Sequence, residues 1–356
     1  MLTTTEIRAR REIVDPTPPY PPSWLDRVTA WVRQLPGPAG VYFLLLLALQ
    51  LAYVHVVLWA NGKLAVGAID LERSFMVFLA PYFLWVRFYL DRVAGAALRT
   101  FRPALTVGDA EFSQLRYRLT TLPAREARIV TVGSALVYLW SLVRLSPEIP
   151  EQYAASREAG LLVMGPLAFI AAVTVAVSTY HAIHQLRMVA HIHRLAAQVQ
   201  LFRLRPLYAF SGLTARTGMS FLLVVSFLVA ILPNVMERPL ARILFVPVVP
   251  IGVASFVLPL LGMRRRIAAE RQRLLAEANR RLEALLVRLH QRVDDEVVSD
   301  ADKVNAQLAS LVAERVLLEK MSTWPWNAET VTGFVTALIL PVILWLVQRM
   351  LERKVF

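Results

Sequence analysis

The stretch that decides the fold runs from residue 241 to residue 266 and reads ARILFVPVVPIGVASFVLPLLGMRRR. Its apolar part, Ala241 to Gly262, is long enough to cross about 30 Å of hydrocarbon, and three arginines follow it. A charged stretch with heptad-like leucine spacing then runs to about Lys320, and Trp324-Pro325-Trp326 precedes a last apolar segment, Ala328 to Val347. This order predicts a membrane helix, a helical hairpin in water, and a final membrane helix.

The composition of the 356-residue chain indicates a membrane protein, because 56% of its residues are hydrophobic. We predict an all-α membrane protein with about seven transmembrane helices and a cytoplasmic helical, coiled-coil-like layer. Two of the spans contain an arginine near one end, Arg87 and Arg144, and we expect both side chains to reach the membrane surface as anchors. The seven apolar segments cover roughly residues 39–60, 74–91, 129–146, 159–180, 217–235, 241–262 and 328–347.

The net charge of +13 is distributed unevenly along the chain. Most of the 39 lysines and arginines lie in segments that seven spans would place on one side of the membrane. The positive-inside rule makes that side cytoplasmic, so we predict a cell-membrane protein with the N-terminus in the cytoplasm and the C-terminus outside. The short tail with Arg349, Arg353 and Lys354 departs from this pattern. The partners that we expect are the lipid bilayer and a second copy of the chain, and no nucleic acid.

Changes in composition divide the chain into four parts. In the first part, Trp24 to Gln34 is predicted to form an interfacial helix with Trp24 and Trp31 as anchors. The fourth span continues without a helix breaker to Leu204, so it should project into the cytoplasm. The parts are a cytoplasmic arm and interfacial helix at 1–38, a six-span bundle at 39–262, a cytoplasmic hairpin at 263–323, and the seventh helix with a short tail at 324–356.

The cytoplasmic hairpin has a narrow apolar seam on each helix. Spacings of three and four residues are typical of paired helices. Two helices alone bury little area, so we expect the seam to pack against the extension of the fourth span or against other subunits, which makes the protein a homo-oligomer. The candidate seam residues are Leu282, Leu285, Leu289, Val304, Leu308 and Leu311.

The last span combines small and hydroxylated residues, with Thr332, Gly333, Thr336 and Ala337 on one side. Such a stripe can line a wet path or pack against another helix in lipid. Leu340 and Leu344 follow one and two turns outward on the same face and are candidates for an apolar gate. The candidate pore-lining residues are therefore Thr332, Gly333, Thr336, Leu340 and Leu344. The last span is expected nearest the axis of an oligomer.

The sixth span contains two prolines three residues apart, Pro247 and Pro250. Prolines inside a helix remove hydrogen bonds, and broken membrane helices occur in moving gates and transporters. A static kink repaired by neighbouring helices is the other interpretation. Pro247 and Pro250 are therefore candidates for a gating kink.

Two polar groups at the predicted inner surface have alternative interpretations. His181, His184 and His191 share one face of the fourth helix and could form a metal or proton site, or a polar face that meets headgroups and neighbouring helices. The pair Arg116 and Arg118 could bind phosphate or lipid headgroups, or could be solvated charge near anionic lipid. No catalytic motif is found and the chain has no cysteine, so we expect neither an enzyme nor a cofactor.

Three stretches resemble a family of uncharacterised prokaryotic multi-pass membrane proteins: LRYRLTTLPA at 115–124, LFRLRPLYAFSGLT at 201–214, and Trp324-Pro325-Trp326 with the span after it. The layout of spans four to seven also resembles the insect odorant and gustatory receptors, which are seven-span ion channels. In those receptors a cytoplasmic helical layer anchors a tetramer, and the outer half of the last helix lines a central pore. The resemblance is one of arrangement and carries no shared motif.

These observations favour an oligomeric, ion-channel-like protein, and the receptor layout implies a tetramer. The alternative is a non-conducting membrane scaffold or sensor whose hairpin docks a partner. A transporter is disfavoured because the predicted spans lack carboxylates at membrane depth.

Overall fold

The structure is a computed structural model that describes residues 17–145, 154–196, 201, 206, 208–232, 246–294 and 301–355. The described residues form helices and no β-strand, with two isolated bridges at Pro22–Pro123 and Leu105–Ala196. The predicted all-α membrane fold is confirmed. The predicted arm up to residue 16 lies outside the described residues.

Eleven α-helices are described. Short 3₁₀ turns follow the third helix, at Arg102–Ala104, and connect the eighth helix to the ninth, at Leu258–Leu260. In chain order the helices are α1 (Trp24–Gln34), α2 (Ala39–Ala60), α3 (Leu71–Phe101), α4 (Asp109–Thr120), α5 (Ala124–Leu145), α6 (Ala154–Leu195), α7 (Ser211–Ile231), α8 (Val248–Val257), α9 (Leu261–Asp294), α10 (Ala301–Lys320) and α11 (Ala328–Val355).

Six helical stretches among the described residues are long and apolar enough to cross a membrane. The predicted second span, 74–91, is not among them, because its helix α3 combines apolar residues with several charges, including Arg87 and Asp91. The six stretches are 39–60, 124–143, 164–195, 211–231, 248–291 and 328–351.

Helix α3 nevertheless runs through the bundle over the full length of α2. At the start of α3, the Asp70 N–H donates to Nε2 of His55 on α2 over 3.1 Å. Towards its other end, the Phe88 ring lies 5.9 Å from the ring of Phe43, near the start of α2. Because α3 packs between α2, α6 and α7, most of its surface touches protein rather than lipid. A helix in that position can contain charges that a lipid-facing helix cannot.

The helices pack as two groups that meet where α3 contacts α7. One group contains α2, α3, α5 and α6, and the other contains α7, α8 and α11. Close approach in the second group depends on glycines: a Cβ atom added to Gly218 on α7 would lie 2.6 Å from the Gly252 carbonyl oxygen on α8. The same atom would lie 2.8 Å from the Phe334 ring on α11, so small residues allow the three helices to touch.

The fourth span is over-long as predicted, since α6 has 42 residues. It ends at Leu195, short of the predicted Leu204, because Ala196 pairs with Leu105 in an isolated bridge. Its inner end packs with α3, α4 and the base of α9 in a core that includes Phe101, Ile192 and Met263. This core lies on the side of α4, where the sequence predicts the cytoplasm, and its Ile192 lies in the last turn of the 164–195 stretch. We call it the inner layer, and it is built from the ends of α3, α6 and α9 together with α4.

Helices α9 and α10 form the predicted hairpin and run antiparallel. Near its base, the Arg271 guanidinium donates to the carbonyl oxygens of Leu318, over 2.7 Å, and Glu319. From Ala278, which is buried, to the end of α9 at Asp294, the helix rises about 24 Å at ~1.5 Å per residue. The residues of α9 that join the core with α3, α4 and α6 lie at or before Leu275, so beyond Ala278 the hairpin projects from that core.

Candidate functional site

The structure divides the candidate pore-lining residues of α11 into two sets. Thr332, Gly333 and Thr336 are exposed, on the side of the helix that turns away from α7. Leu340 and Leu344 are half-buried at the edge of the α7 contact. The Thr336 hydroxyl donates to the Thr332 carbonyl over 2.9 Å, which satisfies it within its own helix.

The residues of α11 that pack inside the chain include one member of the predicted stripe, Ala337, which is a correction to that prediction. Phe334, Ala337 and Pro341 are buried, and the Phe334 ring lies 4.5 Å from that of Phe256 on α8. The hydroxylated part of the stripe is therefore not used for helix packing within one copy. It faces either lipid or another molecule.

The candidate gating prolines lie at the start of a helix. Pro247 is the N-cap of α8, and Pro250 occupies its first turn, where a missing N–H breaks no helical hydrogen bond. The interruption of the sixth span lies further on, at the 3₁₀ turn that contains Pro259. The carbonyl oxygen of Pro259 lies within hydrogen-bonding distance, 3.3 Å, of Nδ1 of His193 on α6. A gating role for Pro247 and Pro250 stays a prediction.

The six candidate seam residues lie along the hairpin, and all of them are half-buried. They include Leu285 and Leu311, which also line an open groove of about 570 Å³ between α9 and α10. Arg281 and Arg288 border the same groove. One copy therefore covers the seam only in part, and contact with a second copy stays a prediction.

A buried ion pair joins the first helix to the core of the bundle. Arg87 on α3 is 2% exposed and its Nη2 donates to Oδ1 of Asp26 on α1. The expectation that Arg87 reaches the membrane surface is wrong, because α1 brings a carboxylate to it. The side chain at Arg144 lies outside the described part.

Asp26 connects three more groups through its second oxygen. Oδ2 accepts from the Ser23 N–H over 3.1 Å, from the Ser23 hydroxyl over 2.6 Å, and from the Leu122 N–H over 3.1 Å. The Ser23 hydroxyl accepts in return from the Asp26 N–H, which completes a capping box for α1. One carboxylate thus ties together the start of α1, the connection between α4 and α5, and α3.

Residues of the 115–124 stretch hold the segment before α1 in place. The Tyr117 hydroxyl donates to the Tyr20 carbonyl over 2.8 Å, and the Tyr20 hydroxyl donates to the Thr121 carbonyl over 2.8 Å. Burial raises the pKa of both phenols, so they stay protonated donors at neutral pH. The LRYRLTTLPA stretch therefore has a structural role: it binds the segment around Tyr20, before α1, to the bundle.

A second buried polar group surrounds Asp91 on α3, which is 4% exposed. Its Oδ1 lies 2.8 Å from Nε2 of His181 and accepts from the Gln185 amide over 3.3 Å, both on α6. Its Oδ2 lies 3.8 Å from the Arg33 guanidinium, which comes from α1. Asp91 thus connects α1, α3 and α6 at the end of the bundle that meets α4.

The histidines of α6 do not act as one group. His181 binds Asp91, whereas Nε2 of His184 lies 3.0 Å from the Arg118 carbonyl, and His191 is half-exposed. Among the described residues, no group of three or more His, Cys, Asp or Glu could hold a metal ion. The contacts of His181 and His184 match the interpretation as a polar face that meets neighbouring helices.

Pairwise contacts of this kind cannot be found in the sequence. The nearest acidic partner of His181 lies 90 residues away in the chain, and that of Arg87 lies 61 residues away. The signal that the sequence does contain is the presence of Arg87 and Asp91 in an otherwise apolar segment, since charges at membrane depth are costly unless paired.

Comparisons of the chain with protein-family models, curated proteins and solved structures find no match.

Proposed function

We propose that this integral membrane protein is a homo-oligomer of ion-channel type, in which α11 of each copy lies nearest a central axis. The observation that carries the proposal is the position of Thr332, Gly333 and Thr336. They lie on the surface of a single copy, away from α7. Hydroxyls placed there have no packing role inside the chain, and between copies they would offer oxygen atoms to a passing ion.

The outer half of the same helix supplies the gate in this proposal. Beyond Thr336, residues such as Leu340 and Leu344 are apolar, and an apolar constriction can close a pore by dewetting. The long inner layer would hold the copies around the axis. In this arrangement the N-terminus lies in the cytoplasm and the C-terminus outside the cell membrane, because α3 adds a seventh crossing to the six apolar stretches.

Ion flux into liposomes that contain the purified protein tests this function. Thr336→Trp should abolish flux, because the indole would fill the inner part of the path. Leu340→Ser should increase flux through a closed pore, because a hydroxyl wets the constriction. Val137→Trp, at an exposed position of α5 on the other helix group, is the matched control and should leave flux unchanged. A protein that never passes ions at any voltage, with Leu340→Ser included, would contradict the proposal.

The hairpin supports the second candidate, a non-conducting scaffold or sensor. Val287 is apolar, more than half exposed, and lies on the part of the hairpin that projects. A soluble partner could dock there without any path through the membrane. A purified protein that is monomeric, passes no ions and keeps a soluble partner bound to the hairpin would favour this candidate.

A further inference from the structure

Four arginines line one open cleft at the inner end of α3. Arg92 and Arg99 lie on α3, Arg33 comes from α1 and Arg116 from α4, and the cleft measures about 560 Å³. Its one carboxylate is that of Asp91, which His181, Gln185 and Arg33 already contact. Positive charge therefore exceeds negative charge among the lining residues, and the cleft favours an anion.

The arginines are poorly supplied with partners inside the protein. Among the described residues no carboxylate lies within ion-pair distance of Arg92, Arg99 or Arg116, and all three are exposed. Arg33 is held in the cleft by two contacts: its guanidinium lies 3.8 Å from Asp91 and 5.2 Å from the centre of the Phe88 ring. One guanidinium is thus preorganised, and three are available to a ligand.

An apolar groove lies next to this cleft, between α2 and α3. Its volume is about 330 Å³, and its lining includes Phe43, Leu47 and Trp85. The Trp85 ring stacks on the Tyr89 ring at 5.8 Å with an angle of 9° between the planes. Tyr89 in turn lines the arginine cleft, so the stacked pair forms the border between the apolar groove and the basic cleft.

Both cavities belong to a single face of α3. Residues spaced by three and four along this helix form one stripe. The stripe passes from aromatic residues at membrane depth to arginines at the inner end, and it consists of Phe78, Tyr82, Trp85, Tyr89, Arg92, Ala96 and Arg99. Aromatic residues are enriched where hydrocarbon meets headgroups, and the order along the stripe is the order of the parts of a phospholipid.

We propose that this face binds one anionic phospholipid. Its phosphate lies between Arg92, Arg99 and Arg116, and an acyl chain follows the groove between α2 and α3. A free phosphate would use only the cleft, whereas a lipid uses the cleft and the groove together. The site rests on the membrane location of the chain and not on ion conduction.

Native mass spectrometry of the purified full chain in detergent, titrated with three ligands, tests the proposal. The ligands are dioleoyl phosphatidylglycerol, dioleoyl phosphatidylcholine and glycerol 3-phosphate, which is a headgroup without chains. Each basic residue near an anionic headgroup contributes ~1 kcal/mol, which is about fivefold in affinity. Arg92→Gln with Arg99→Gln should therefore weaken phosphatidylglycerol binding about 25-fold and weaken phosphatidylcholine binding less, because the choline cation offsets part of the attraction to its phosphate.

Two further variants separate a built site from general attraction. Arg280→Gln with Arg288→Gln removes the same charge from the hairpin and should not change binding. Leu47→Trp fills the groove and should weaken binding of both dioleoyl lipids while leaving glycerol 3-phosphate unaffected. An equal loss in the hairpin variant, equal affinity for the two lipids, or glycerol 3-phosphate binding as tightly as phosphatidylglycerol would each overturn the proposal.

Discussion

Replacing Asp26 by asparagine tests the buried ion pair most directly. In the protein, Oδ1 of Asp26 faces the Arg87 guanidinium, and Oδ2 faces three donors from Ser23 and Leu122. Asparagine has one oxygen and one NH₂ group. In one orientation the NH₂ group faces the Arg87 guanidinium, and in the other it faces the donors of Ser23 and Leu122. Two other nitrogens of Arg87, Nε and Nη1, are buried without a partner among the described residues, so no other described group takes over the charge.

The expected loss is large for a single change. Removing one partner of a buried pair costs about 3–5 kcal/mol, and since the Asp26 side chain is 11% exposed we expect the lower end, about 3 kcal/mol. The free energy of unfolding can be measured by titration with sodium dodecyl sulfate, followed by far-ultraviolet circular dichroism. Combining Asp26→Asn with Arg87→Met should recover part of the loss, because no charge is then left buried.

The matched control is Asp109→Asn. Asp109, on the first turn of α4, also pairs with an arginine, Arg102. Those side chains are 77% and 50% exposed, and an exposed pair contributes less than about 1 kcal/mol. Equal small losses for Asp26→Asn and Asp109→Asn, or strictly additive losses in the double variant, would refute the account of Asp26 as the residue that holds α1 on the bundle.

Three other changes have defined outcomes. Gly218→Ala should destabilise the protein by about 1–3 kcal/mol, because its Cβ atom would overlap the Gly252 carbonyl, whereas Gly333→Ala, which meets nothing within 4 Å, should be neutral in the same unfolding titration. Leu285→Asp with Leu308→Asp should dissociate the oligomer in light scattering, since buried unpaired charge costs several kcal/mol; an unchanged mass would show that the seam serves only the hairpin. A cysteine at position 355 should react with an impermeant reagent from outside the cell, and reaction only from the cytoplasmic side would remove the seventh crossing.

Periodicity and helix-end signals predicted much of the fold. Helix α1 has the predicted bounds because Ser23 precedes an apolar spacing and can cap it. Helix α6 is long because nothing after Gly165-Pro166 breaks its apolar face, and Pro166 itself is accommodated within the helix. The apolar spacing at Phe112, Leu115 and Leu119 marks the buried side of α4. Each of these features depends on residues close together in the chain.

The remainder depends on contacts between distant residues. A charge in an apolar segment indicates that something unusual lies there, but Arg87 faces Asp26 only because α1 folds back on the bundle. The effect of Pro247 likewise depends on where α8 begins, and no capping side chain before it marks that position. The stripe on α3 cannot be recognised in the sequence, because Trp85 and Arg92 line neighbouring cavities only when α2 and α4 lie beside them.

The central claim is that the hydroxylated face of α11 meets another copy of the chain. The chain has no cysteine, so Thr336→Cys places a single thiol on that face, and Val137→Cys places one on the outer face of α5 as the control. Mild oxidation in native membranes followed by gel electrophoresis should give a disulfide-linked dimer for Thr336→Cys and monomers for Val137→Cys. Monomers for Thr336→Cys, with or without linked Val137→Cys, would contradict the placement of α11 at the axis.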